Sequence, residues 1–273
     1  MKIVVCVKQV PDTQKVQVDP ETGVLIRQGI DTKMNPYDLY ALETAFRIKK
    51  KTQAEIYVIT MGPDSAKAVL YESMALGADD AWLMSDRRFA GADVLATSFT
   101  LAQGIKTMGH VDLILCGKQT TDGDTAQVGP AIGEVLKIPH VSWVRKLIDA
   151  DEKGITVLQE MMDSVAEVRL NYPCLLTVEK GIFEPGLPSY LKMKEAKKKD
   201  IHLLTMDDCE CRDIRRYGLS GSPTQVEKIF EPTYDLESVR LEGTSEENAS
   251  ALYDKLLELK VFEGGKKHGT IGN

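Results

Sequence analysis

The chain has 273 residues, of which 43% are hydrophobic, 27% charged and 6% aromatic, the composition of a globular protein with a core to bury rather than a disordered, fibrous or disulfide-stapled one. Its 34 Lys and Arg stand against 41 Asp and Glu, a net charge of −7, which argues against a nucleic-acid binder, since that needs a basic face to displace counterions from phosphates. Apolar runs such as Ile3-Val4-Val5-Cys6-Val7 fall far short of the roughly 20 residues that span a bilayer, so no membrane insertion is expected.

The first half alternates β-branched runs with helix-period segments, the pattern of a mainly parallel α/β sheet covered on both faces. Ile3 to Val7 is the first strand, and its early start, with no leader before it, reads as a cytoplasmic protein. A small hairpin is expected over Val16 to Ile26. Asn35 then suits a helix cap and Pro36 the first helical position, with Leu39, Leu42 and Phe46 on one face and Lys49 to Lys51 at the end where the helix dipole favours cations. Ile56 to Thr60 is a strand, Pro63 to Leu76 a helix closed by Gly77, Ala81 to Met84 a strand, Ala92 to Met108 a helix, and Val111 to Cys116 a strand. A polar, glycine-punctuated loop leads from Gly117 to Gly129, and Pro130 must lie in the first turn of the helix that follows.

From Val141 the pattern becomes alternation without helices. Val141 to Ile148, Ile155 to Met161, Val165 to Leu170 and Leu175 to Val178 read as antiparallel strands finishing the sheet. After a connector and a short lysine-rich helix there is little regular pattern until Ser245, expected to cap a helix striped by Ala249, Leu252, Leu256 and Leu259, which needs a surface to lie on. The organisation expected is a domain over residues 1–225, carrying a docking segment at 184–200, and a C-terminal arm over 226–273.

The five cysteines are dispersed and read as reduced thiols. Cys209 and Cys211 have only His202 near them, too few ligands for zinc, and no metal site is expected. His140 reads as a structural residue at a strand edge. Neither G-x-G-x-x-G nor a P-loop occurs, nor a G-x-S-x-G elbow, so no catalytic residue is assigned.

In open parallel sheets ligands sit where loops converge at the carboxyl ends of the strands. The loops in question carry Cys6 to Asp12, Asn35 to Asp38, Thr60 to Pro63 and Gly117 to Val128. Gly123 and Gly129 permit close backbone approach, and the amides of Thr125 to Val128 at a helix N-terminus form an anion cradle that suits a phosphate. Asp122 and Asp124 can hold ribose hydroxyls; in the plainer reading they merely cap the helix in a surface loop. The segment Leu187 to Lys199 holds five lysines and one glutamate, either a solvated helix or a docking loop in which apolar side chains anchor a partner and lysines steer an acidic one.

In order and spacing, several of these pieces resemble the β subunit of electron transfer flavoproteins. They are Val4-Val5-Cys6-Val7-Lys8-Gln9-Val10-Pro11-Asp12, Met34-Asn35-Pro36, Ala75-Leu76-Gly77-Ala78-Asp79, Gly117-Lys118-Gln119 with Asp122-Gly-Asp-Thr-Ala-Gln-Val-Gly129, and Leu187-Pro188 before the lysines. The resemblance implies a Rossmann-like domain of the adenine-nucleotide α-hydrolase kind. The nucleotide contacts it implies fall on Cys6, Asn35, Pro36, Tyr37, Asp38 and Met61, and on Gly117, Lys118, Gln119, Thr120, Thr121, Asp122, Gly123, Asp124, Thr125, Ala126, Gln127 and Val128. Ordinary members hold AMP there. Bifurcating members hold an FAD that takes hydride from NADH and sends its electrons along two paths, one to the α-subunit FAD and an acyl-CoA dehydrogenase, the other to ferredoxin or flavodoxin.

The small residues at Gly123, Thr125 and Ala126 resemble the bifurcating branch, because ordinary members carry bulkier groups where a flavin would pass. AMP in a non-bifurcating carrier is the alternative, and a nucleotide sensor of the universal-stress type a third. At Thr13 the AMP-binding mammalian type has a tyrosine beside the α-subunit flavin, a contact that does not transfer. The resemblance makes Leu187 the anchor into a partner dehydrogenase, flanked by Tyr190, Leu191, Lys192, Met193 and Lys194, and makes the C-terminal helix the arm that holds the α subunit.

Overall fold

The computed structural model describes residues 1–12, 31–227 and 238–262; the hairpin expected at Val16 to Ile26, and Thr13, lie outside them. The chain divides into two compact units, Met1–Ile229 and Phe230–Asn273.

The first unit is built on a nine-stranded sheet. Its parallel part contains β1 (Lys2–Cys6), β4 (Glu55–Met61), β5 (Asp80–Met84), β6 (Leu113–Gly117) and β10 (Cys174–Val178); β2 (Gln9–Pro11) and β3 (Thr32–Met34) pair separately as a small antiparallel ribbon. β7 (His140–Ala150), β8 (Gly154–Glu160) and β9 (Val165–Asn171) form an antiparallel meander, and β11 (His202–Leu204) adds a parallel edge beside β5. The order across the sheet is β11-β5-β4-β1-β6-β10-β7-β8-β9.

Two expectations are corrected here. Leu175 to Val178 is not part of the antiparallel extension: β10 lies between β6 and β7, parallel to both. All five of its residues are buried, as a strand covered on both faces requires, whereas the meander strands alternate because one face meets water. The stretch read as patternless contains β11, too short at three residues for a period to emerge.

The helices are α1 (Pro36–Thr52), α2 (Lys67–Leu76), α3 (Val94–Thr107), α4 (Val128–Leu136) and α5 (Tyr190–Ala196) in the first unit, and α6 (Ser245–Glu258) in the second. The period of two along β1 sorts the core. Ile3 and Val5 pack in the layer with Leu42 and Ile48 of α1 and Leu70 of α2, while Val4 and Cys6 pack in the opposite layer with Phe99 of α3 and Ile132 of α4. Pro130 is the third residue of α4, inside the first turn. In the second unit α6 is capped by Thr244, one residue before the expected Ser245: the Thr244 hydroxyl accepts from Glu247 N–H, while the Glu247 carboxylate accepts from Thr244 N–H at 2.8 Å. No residue of α6 is buried. Among the described residues no helix is long and apolar enough to cross a membrane.

β1 is flanked by β4 on one side and β6 on the other, so the chain departs in opposite directions from the carboxyl ends of β1 and β6. This switch point opens a crevice between their loops.

Candidate functional site

Hydrogen bonds tie the loops at the switch point to one another. Lys8 N–H donates to Asp38 Oδ2 at 2.8 Å, and Asn35 N–H donates to Lys8 O at 2.9 Å. Asn35 holds the N-cap position of α1 with Pro36 after it, yet its side chain caps nothing. Its Nδ2 instead donates to Asp38 Oδ1 and to Gln119 O, each at 2.9 Å, and its Oδ1 accepts from Thr121 N–H at 3.3 Å. The capping role expected for Asn35 is thus replaced by a bridging one, because the loop after β6 offers a backbone donor and acceptor. Gln9 closes the ring: Nε2 donates to Ser65 O at 3.1 Å, just past β4. Cys6, Asn35 to Asp38, the loop after Met61 and Gly117 to Val128 therefore meet.

Asp38 is the hub. It is buried, and burial pushes its carboxyl up to about 7, against donors from Asn35, Lys8 and the Gly117 amide that favour the charged form. Gly117 is glycine because a Cβ there would lie 2.5 Å from Asp38 Oδ1 and 2.7 Å from the carbonyl carbon of Tyr37. Beneath these loops Cys6 and Cys116 are register partners on β1 and β6, both buried. The Cys6 contact and burial hold the Cys116 thiol well above its ordinary range, so it stays protonated and forms an inert floor.

The loop from Gly117 to Val128 has an unusual backbone. Asp124 (φ 52°) and Ala126 (φ 54°) are left-handed, while Gln127 is right-handed. A left-handed residue beside a right-handed one turns successive N–H groups to one side, making a nest that binds anions. The nest runs into the N-terminus of α4, where no side chain caps the helix, leaving its amides and dipole to a ligand. The two glycines have different surroundings. Gly123 has no left-handed φ, and a Cβ there would meet only Thr120 Oγ1, in ordinary contact at 3.4 Å. Gly129 serves packing, since a Cβ would lie 2.3 Å from Thr177 Cγ2 of β10.

Three residues at the crevice carry no role in the sequence reading. Lys8 Nζ lies 2.7 Å from Asp122, pinning the loop. For Asp122 the opposing effect of burial is outweighed by Lys8, and its pKa falls below the carboxylate norm. Lys118 Nζ pairs with Glu179 Oε1 at 2.6 Å and stands 4.6 Å from the ring centre of Trp143. Lys8 was visible within its motif; the placement of Trp143 and Glu179 depends on the strand order and leaves no local signal. His140 opens β7 and packs against Gly133, where a Cβ would come within 2.9 Å of its Nδ1.

In the docking segment Leu187, Tyr190 and Leu191 are 94%, 80% and 70% exposed, far beyond what isolated apolar residues need. Ser189 caps α5 by accepting from Lys192 N–H at 3.2 Å. Lys192 and Lys194 are exposed, while Met193 is half-buried against the core, so it anchors α5 rather than offering itself outward.

Residues 22–208 match the electron transfer flavoprotein domain family. The chain is 42% identical over 270 residues to an electron transfer flavoprotein subunit beta of Megasphaera elsdenii, covering 96% of this chain and 99% of that protein. It belongs to the electron transfer flavoprotein β-subunit family. It is also 43% identical to the caffeyl-CoA reductase-Etf complex subunit CarD of Acetobacterium woodii, across 96% of this chain and 100% of the relative, and 38% identical to a FixA protein of Azorhizobium caulinodans, across 90% of each. The mixed α/β architecture agrees with that membership.

Proposed function

We propose that this chain is the nucleotide-holding β subunit of a heterodimeric, bifurcating electron transfer flavoprotein, and that its crevice takes FAD. The observation that carries the reading is the left-handed pair Asp124 and Ala126 feeding the uncapped start of α4, beside Gly123, where an added Cβ would meet only Thr120 Oγ1. Amides of Ala126 to Val128 would hold phosphate, Asp122 and Asp124 would face ribose or ribityl hydroxyls, and Cys6, Asn35 to Asp38 and Met61 would line the remaining wall. When bound there, FAD would supply the redox chemistry, the acceptance of hydride from NADH and the separate delivery of electrons to the α-subunit FAD and to ferredoxin or flavodoxin.

This chain's residues would orient the cofactor, and none of them need act as acid or base. Leu187, Tyr190 and Leu191, flanked by Lys192 and Lys194, would dock an acyl-CoA dehydrogenase, and α6 would hold the α subunit. The name of the Acetobacterium relative, which joins a CoA-ester reductase to an electron transfer flavoprotein, supports that kind of partner.

The test is the nucleotide content of the purified αβ complex after denaturing release and chromatography. About two FAD per heterodimer and no AMP is the expected outcome. One FAD with one AMP would overturn the FAD reading in favour of a non-bifurcating carrier.

A further inference from the structure

Trp143 has φ 62°, a left-handed conformation that is a genuine outlier for a bulky residue. Its side chain is 38% exposed, so full burial does not account for the strain. The pairing of β10 with β7 shifts register between Leu176 and Val178, and the displaced Trp143 N–H donates to Thr177 Oγ1 at 3.0 Å instead of to a ladder carbonyl. Such bulges re-aim side chains beside functional sites. This one stands at the carboxyl end of β10, where Glu179 N–H donates to Val144 O at 2.9 Å and Lys118 N–H to Val178 O at 2.9 Å. Trp143 is thereby on the crevice side of the sheet, with the Lys118 ammonium against its ring.

The phosphate nest follows β6, and β7 is two strands further along the sheet, with β10 between. The end of the nest is nearer than that order suggests, because Gly129 at the start of α4 packs on Thr177 of β10, whose Oγ1 accepts from Trp143 N–H at 3.0 Å. A mononucleotide ends at its phosphate. A dinucleotide continues past it, and the ribityl chain of FAD is suited to carrying a second, electron-poor ring over β10 toward Trp143.

We propose that Trp143 is the stacking platform for the isoalloxazine of FAD, and that it makes the crevice discriminate FAD from AMP. The inference rests on the reading of the crevice as an FAD site. An electron-rich indole suits an electron-poor planar partner, and Lys118, held by Glu179, packs its ammonium 4.6 Å from the ring centre.

The full-length chain has two tryptophans, so Trp82→Phe leaves Trp143 as the sole indole reporter. Titration with FAD is expected to quench its emission strongly, and titration with AMP to leave it nearly unchanged while competing for the site. Trp143→Ala should weaken FAD about tenfold, as loss of a stacked ring does, with AMP affinity unchanged. Trp143→Gly, which accommodates the left-handed backbone, should behave alike and serves if the alanine variant misfolds. FAD binding without quenching, or equal loss of FAD and AMP in both variants, would overturn the platform while leaving the FAD site in place. A wild-type chain that binds AMP but not FAD would overturn the underlying reading, and the platform with it.

Discussion

Lys8 Nζ lies 2.7 Å from both carboxylate oxygens of Asp122, joining the loop after β1 to the loop after β6 across the crevice. The two side chains are 44% and 30% exposed, so water screens the pair and its direct worth is roughly 0.2–1 kcal/mol. Its larger effect is on position, since Asp122 stands two residues from the left-handed Asp124. Lys8→Met and Asp122→Asn should each cost less than about 1 kcal/mol in urea unfolding yet both loosen nucleotide retention. The swap Lys8→Asp with Asp122→Lys should recover part of that retention. Singles that retain nucleotide as the wild type does would remove the latch role.

Asp38 makes a pH prediction with a definite sign. Its carboxyl titrates at about 7 in the folded chain against 3.8 as a free group. Between those values the folded chain keeps a proton that the unfolded chain releases. This contribution to stability is therefore full below about 4 and is lost as pH rises to about 7. Across the window the loss is on the order of 4 kcal/mol. Asp38→Asn has no proton to release at this position, so its stability should vary less between pH 4 and 7 than that of the wild type. Parallel urea-derived profiles for wild type and variant would refute the assignment.

How much was legible in the sequence depended on whether a feature is local. The buried runs of β1 and β6 and the apolar face of α1 stand out because a strand covered on both faces reads as an unbroken apolar run and a helix covered on one as a stripe of period 3.6. The convergence of four loops followed from the parallel order, which fixes where carboxyl ends lie. The sequence did not reveal that Leu175 to Val178 inserts between β6 and β7, since its apolar run carries no strand direction. Nor did it show that Asn35 bridges rather than caps, because the partners Gln119 and Thr121 lie more than 80 positions away. The left-handed Asp124, Ala126 and Trp143 were hidden for another reason: strain at non-glycine residues is imposed by tertiary context.

Gly129 packs α4 on β10. Gly129→Ala would place Cβ 2.3 Å from Thr177 Cγ2, and overpacking of this kind costs about 1–3 kcal/mol. Thr177→Ser removes the offending methyl and keeps the oxygen that accepts from Trp143 N–H. The double variant should regain most of the lost stability in thermal unfolding. No recovery would mean that the helix N-terminus, not the methyl contact, limits the site.

Leu187→Ala should leave thermal stability within about 0.5 kcal/mol of wild type, because a side chain 94% exposed contributes little packing. In the αβ complex it should slow reduction of the dehydrogenase partner with cofactor content unchanged. Met193→Ala should do the reverse, lowering stability first, since Met193 packs on the core. Equal partner reduction by Leu187→Ala and wild type would remove Leu187 from the docking surface.

Gly123→Asp separates room for the protein from room for a ligand. Gly123 needs no left-handed backbone, and the first atom of a new side chain meets only an ordinary contact with Thr120 Oγ1 at 3.4 Å. The substitution should therefore leave urea unfolding within about 0.5 kcal/mol of wild type. A carboxylate there would nevertheless fill space beside the nest and repel phosphate. The repulsion acts on any phosphate ligand, but lost volume acts only on one that continues past its phosphates. FAD affinity should accordingly fall further than AMP affinity, measured side by side by equilibrium dialysis on the same preparation. Equal losses would mean that charge alone is felt at residue 123, and that this position is not part of a flavin's path.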